Sequence, residues 1–327
     1  MSGNAVVKTI LVYYLVAVAT LLSGYLFPTG TQLVNTVPIA FSLLMLVPLY
    51  VWERSYRKKT QLSLETAKRD MGMTVFWIFT LFTLALSIRI PSILLFNQPY
   101  EKTALIYLLV LTVLLVERTN PSVIGFKTQN LGRALLYGVA FFATLAGLTL
   151  VFTYTLIFAF TGKMPVQSFD YALALMTLPF MTLCVGISEE GFFRGYVQTH
   201  LEIFFTPKQA NLTQAILFGG WHFVWYLWPF DSSGMSYHVI ITFFIGLLFG
   251  YFYSKTRNLI PLILAHGLWD SVPPSIIENQ ATIGYFATFP AENQALVLIL
   301  PFALAALATV IFTKYGTRRN WRNQSPK

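Results

Sequence analysis

The chain of 327 residues is 56% hydrophobic and only 11% charged, with a mean hydropathy of +0.63, whereas soluble domains carry about 25% charged residues. This excludes a water-soluble globular protein, and the long unbroken apolar runs exclude a β-barrel, whose strands alternate over about ten residues. What remains is an all-α, polytopic transmembrane helix bundle. The net charge of +9 sits in loops and tails, where it sets topology and meets anionic membrane lipid rather than nucleic acid.

A spanning helix needs about 20 apolar residues. Ten runs qualify, at 8–27, 34–52, 72–96, 103–117, 133–160, 171–200, 209–228, 237–254, 258–274 and 293–313. The fourth is short, and the fifth and sixth are long enough to tilt or break. Ala17-Val18-Ala19 mimics a signal-peptidase site, but the further spans argue for a retained first helix. Arg89, beside Pro91, falls toward the outer end of the third span and is expected to snorkel. The polar segment from Glu117 to Arg133, with Asn120-Pro121 and Gly125, reads as a cytoplasmic loop. It divides residues 1–118, N-terminal helices of unassigned role, from residues 119–327.

Lysine and arginine set the orientation. Lys8, Arg54, Arg57, Lys58, Lys59, Lys68, Arg69, Arg118, Lys127, Arg133, Lys208, Lys255, Arg257, Lys314, Arg318, Arg319, Arg322 and Lys327 fall on one side of a ten-span bundle, and only Lys102 and Lys163 on the other. This asymmetry of 18 to 2 predicts that both termini are cytoplasmic.

Three of the runs carry chemistry. The sixth holds Ser188-Glu189-Glu190-Gly191-Phe192-Phe193-Arg194. Each unpaired charge at the bilayer centre costs about 2.5–3.5 kcal/mol, so this trio would cost on the order of 10 kcal/mol without partners. Glu190 and Arg194 are four apart and share a helix face. Glu189 is rotated from that pair by about 100°. It is then free to face a cavity as general base for a water molecule; the bland alternative is a packing ion pair between helices. The seventh run holds Phe218-Gly219-Gly220-Trp221-His222, whose glycines permit close approach of a neighbour. The ninth holds His266-Gly267-Leu268-Trp269-Asp270, with His266 and Asp270 on one face. Counted along their spans, all these groups lie between the midplane and the cytoplasmic face. Phe193, Phe218, Trp221 and Trp269 adjoin them and are weaker candidates to line a substrate site. Cys184 is read as inert core, and His200 and His238, at span ends, as solvated. No His-Glu-x-x-His string is present, which excludes a zincin-type site.

The Glu-Glu-x-x-x-Arg, Phe-x-x-x-His and His-x-x-x-Asp strings, in this order, resemble the three motifs of the CPBP intramembrane proteases. That family includes the type II CAAX prenyl endopeptidases and bacteriocin-related processing or immunity proteins. The resemblance spans roughly residues 120–315 and implies an eight-helix core preceded by added N-terminal helices, so that residues 119–327 are a protease core with a basic cytoplasmic tail in a prokaryotic cell membrane. It also implies an endopeptidase acting near the cytoplasmic face. Glu189 and His222 activate water, Arg194 holds Glu190, and His266 and Asp270 form the oxyanion side. Prenyl proteases usually carry Asn where this chain has Asp270. The implied substrate is a peptide or a prenylated protein such as a CAAX C-terminus, and the implied mechanism is metal-free. Zinc or another divalent metal on Glu189, His222 and His266 is the alternative. A transporter or proton relay, and a catalytically silent immunity or scaffold protein, are the competing functions.

Overall fold

The computed structural model describes residues 3–27, 33–59 and 70–317. The helices are α1 (Gly3–Leu26), α2 (Leu33–Lys59), α3 (Met71–Phe96), α4 (Glu101–Leu111), α5 (Leu131–Thr161), α6 (Tyr171–Leu201), α7 (Pro207–Gly220), α8 (Ser232–Thr256), α9 (Ile260–Ser271), α10 (Gln280–Phe286) and α11 (Ala291–Gly316). All ten apolar runs therefore form helix. Among the described residues, seven helices are long and apolar enough to cross a membrane, as an integral multi-pass membrane protein requires. The runs at 103–117, 209–228 and 258–274 give shorter regular helices. α4 ends in a π turn, Thr112–Val116. α7 tightens into a 3-10 turn, Trp221–Tyr226. α9 stops before Pro273-Pro274, where proline removes a donor and clashes with the preceding turn.

The two long runs break as their length predicts. α5 carries a π turn at Ala143–Gly147, and α6 carries two, at Met181–Gly186 and Glu190–Gln198. The first of these follows Pro179, which has no N–H for the regular ladder. Helix starts are capped by side chains: Asp170 accepts from Leu173 N–H, the Thr206–Gln209 capping box opens α7, and Asp231 accepts from the Ser233 and Gly234 N–H groups. One feature has no counterpart in the sequence reading: a short antiparallel ribbon of β1 (Val166–Phe169) and β2 (Ile276–Glu278).

α4 is buried nearly all round, from Glu101 to Val110, as expected of a helix apolar on every face. It sits at the centre and is tied to α2 by Thr103 Oγ1 donating to Pro38 O at 3.1 Å and Tyr107 Oη to Phe41 O at 3.0 Å. The bundle has two distinct ends. At one, Thr128 donates to Glu53, Arg257 pairs with Glu202, and Tyr137 donates to Gly316 O. These contacts gather the basic loops, so this is the basic end. The other is the ribbon end, with β1, β2, the turn after α3 and the start of α8.

Candidate active site

Glu189 and Glu190 have separate partners, as their angular offset on α6 predicts. Glu190 Oε1 accepts from Arg194 at 3.0 Å and from His266 Nδ1 at 2.7 Å. Arg194 is fully buried, and its guanidinium lies 4.0 Å over the Phe218 ring, a desolvated cation–π contact. Glu189 Oε1 accepts from Trp221 Nε1 at 2.8 Å and from Lys102 Nζ. Its other oxygen, Oε2, accepts no hydrogen bond and lies 3.6 Å from His266 Nε2. Glu189 is therefore half engaged, not wholly free.

The imidazoles are held in defined ways. His222 Nδ1 donates to Phe218 O at 2.8 Å. A carbonyl can only accept, so this bond leaves Nε2 of a neutral ring as the acceptor. His266 Nε2 also lies 3.3 Å from Asp270 Oδ2. A neutral ring donates from one nitrogen only, so serving Glu190 and Asp270 together takes either the doubly protonated ring or a protonated carboxyl. Close helix packing brings His266 there. A Cβ on Gly186 of α6 would sit 2.7 Å from Ile263 O, and one on Gly138 of α5 would sit 2.6 Å from Pro261 O. Only hydrogen at both positions lets α9 nest between them. Gly219 plays the same part between α7 and α8, with Val239 O 2.8 Å from its notional Cβ, but Gly220 faces open space.

Glu189, His222, His266 and Asp270 line one cavity of about 500 Å³. Asp270 is 30% exposed, so water reaches the group. Trp269 lines the same cavity, and Phe218 lines a smaller adjoining pocket. The sequence reading of Phe193 and Trp221 as lining residues does not hold. Both are fully buried behind the site, edge-on to each other at 5.9 Å, and Trp221 acts through its bond to Glu189. Glu190 and Arg194 likewise stand behind the cavity wall.

Several further expectations are overturned. Arg89 does not snorkel. It is buried, bonds Glu101 Oε1 at 2.5 Å and Trp221 O at 3.1 Å, and stacks 4.4 Å over the Trp221 ring. Lys102 is no loop charge: it is buried between Glu101, at 3.2 Å, and Glu189. The N-terminal third, to which the sequence assigns no role, thus supplies three ionic groups to the site. The clue was available, since Glu101-Lys102 opens a helix with no polar face, where neither charge has an outlet to solvent. His200 is buried and sits 3.1 Å from Glu117 Oε2. His238 lines the cavity, its ring 5.2 Å from that of His222.

The cavity also has a direction within the bundle. Its wall continues from Glu189 through Val185 and Met181 toward the start of α6, and its mouth is lined by Asn97, Gln98 and Pro274. Asn97, Gln98 and Pro274 belong to the ribbon end. The mouth therefore opens at the end opposite the basic loops. His222 lies beyond the last regular turn of α7, and Asp270 is next to the last residue of α9.

Among the described residues, no three of His, Cys, Asp and Glu form a group arranged to hold a metal ion. No curated protein and no solved structure matches this chain. Residues 171–272, which run from α6 through α9 and include all seven motif positions, match the family model described as type II CAAX prenyl endopeptidase Rce1-like. These helices are thus similar to an Rce1-like protease model, at the positions where the sequence resembles the CPBP intramembrane proteases.

Proposed function

We propose that this protein is an intramembrane endopeptidase that hydrolyses a peptide bond in the cavity between α6, α7 and α9. The observation that carries this reading is the unbonded Glu189 Oε2, buried against His266 and facing the same cavity as His222. A water there meets two acceptors, Glu189 Oε2 and His222 Nε2. Either takes its proton as the oxygen attacks the carbonyl carbon, and the same proton later passes to the leaving amine. The His266 Nδ1–H stays on Glu190, and the Nε2–H, 3.3 Å from Asp270 Oδ2, turns to donate to the oxygen that becomes negative. Asp270 serves as positioning group, because an ionised carboxylate has no proton to donate.

The reading is metal-free. His266 Nδ1 is held by Glu190, and its Nε2 lies 3.3 Å from Asp270 and 3.6 Å from Glu189, which favours a protonated nitrogen over a metal ligand there. The bundle is read as ten spans, with its basic loops and both termini cytoplasmic, and its substrate as a peptide, prenylated or not.

Purified protein in lipid vesicles, incubated with peptides that carry or lack a farnesylated cysteine, tests the proposal by mass spectrometry of the products. Cleavage is expected to survive removal of metals by EDTA. It should fall about 10²–10⁴-fold in Glu189→Gln, the range for loss of a general base, while Lys102 keeps its contact with Glu101 and thermal unfolding checks that the variant is folded. Equal cleavage by Glu189→Gln and wild type would sink the assignment.

A further inference from the structure

We infer that the cavity is open to the non-cytoplasmic face, so that its substrate is an extracytoplasmic peptide segment and not a cytoplasmic prenylated C-terminus. Two independent observations meet here. The first is charge. With Lys102 buried in the core, the ribbon end keeps a single lysine of the loop set, Lys163, against Asp170, Asp231, Glu278 and Glu292. The basic end carries Lys8, Arg118, Lys127, Arg133, Lys208, Lys255, Arg257 and Lys314, with the 54–59 cluster. Lysine and arginine in short loops are retained in the cytoplasm, so the ribbon end faces away from it.

The second is the geometry of access. Every residue at the mouth, Asn97 and Gln98 after α3, His238 at the start of α8, and Pro273 and Pro274 after α9, is at the ribbon end. In the other direction Glu189 is sealed. Arg194 and Glu190 are fully buried below it, and below them Tyr196, His200 and Glu117 form a closed hydrogen-bonded layer. A chain arriving from the cytoplasm would have to displace both layers. One arriving from the opposite face meets Gln98 and Pro274 first.

The inference rests on the endopeptidase reading only for what occupies the cavity. The direction of the mouth is measured without turnover, so a chain that cleaves nothing still answers it. In a Cys184→Ala background, Gln98→Cys places a thiol at the mouth, Gln167→Cys places one on exposed β1, and Gln129→Cys places one in an exposed basic-end loop. None of these changes a charge. A membrane-impermeant maleimide is applied to intact spheroplasts and again after lysis. Gln98→Cys and Gln167→Cys are expected to label before lysis, and Gln129→Cys only after it. If Gln98→Cys fails to fold, Gln167→Cys carries the test. The reverse pattern, with ribbon-end thiols labelled only after lysis and Gln129→Cys before it, overturns the inference.

Discussion

At the residue scale the protein is an ionic cluster in an apolar bundle. Arg89, Glu101, Lys102, Glu189, Glu190 and Arg194 are each at most 2% exposed, and each has an opposite charge in contact. Such pairs add little net stability, but removing one partner strands the other at a cost of about 3–5 kcal/mol. Lys102→Met is therefore expected to destabilise the fold by that amount, because Glu189 then keeps the Trp221 N–H as its one hydrogen-bond donor, with His266 Nε2 at 3.6 Å. Adding Glu189→Gln should recover most of the loss, since removing both charges leaves none unpaired. Thermal unfolding of the single and double variants measures this, and additive losses would refute the pairing. The motif residues were legible because charges four apart in an apolar run have no bland explanation at that depth. Arg89 was not, because a charge near the end of a span reads as solvated until the packing above it is known, and Lys102 was passed over for the same reason although its wholly apolar helix carried the clue.

At the element scale the site depends on helices that come unusually close. α9 is short and would be marginal alone, yet it holds His266 and Asp270 against α6. The device is glycine: Gly186 and Gly138 face the α9 backbone with no room for a methyl group. Gly186→Ala is expected to push α9 outward, open the 2.7 Å His266–Glu190 bond and lower stability by about 1–3 kcal/mol, the usual cost of overpacking. Turnover should fall with it. Gly220→Ala meets open space and should leave stability unchanged, or raise it by roughly 0.5–1 kcal/mol because alanine is the better helix residue. Melting midpoints of the two variants decide the matter, and equal losses would show that close approach is not what the glycines provide. The breaks in α5 and α6 were legible from their length. The shortness of α7 and α9 was not, because both runs stay apolar past their last regular turn and only backbone geometry shows where they tighten. The β1–β2 ribbon escaped notice for a similar reason: two short segments over a hundred residues apart carry no local pairing signal.

At the scale of the whole molecule, the orientation of the bundle and the matched domain do not by themselves make a site. The match to the Rce1-like model ends at α6 and α9, yet the central helix, α4, lies outside it and supplies the lysine on Glu189. The division after residue 118 follows a real polar loop, but sequence has no means of showing that packing runs across it. α4 is positioned in turn by α2, through Thr103 and Tyr107, and Tyr13 of α1 donates to Leu84 O of α3 at 2.8 Å. A chain lacking residues 1–69 retains every motif residue. It loses the surfaces that bury α4, and with them the burial that keeps Lys102 on Glu189. Such a chain is expected to insert in membranes but to unfold without a cooperative transition and to show no peptide cleavage. Circular dichroism melting, run beside the vesicle assay, checks both points. A truncated chain that melts cooperatively and cleaves at the full rate would show instead that α5 to α11, with α3 and α4, assemble the site unaided.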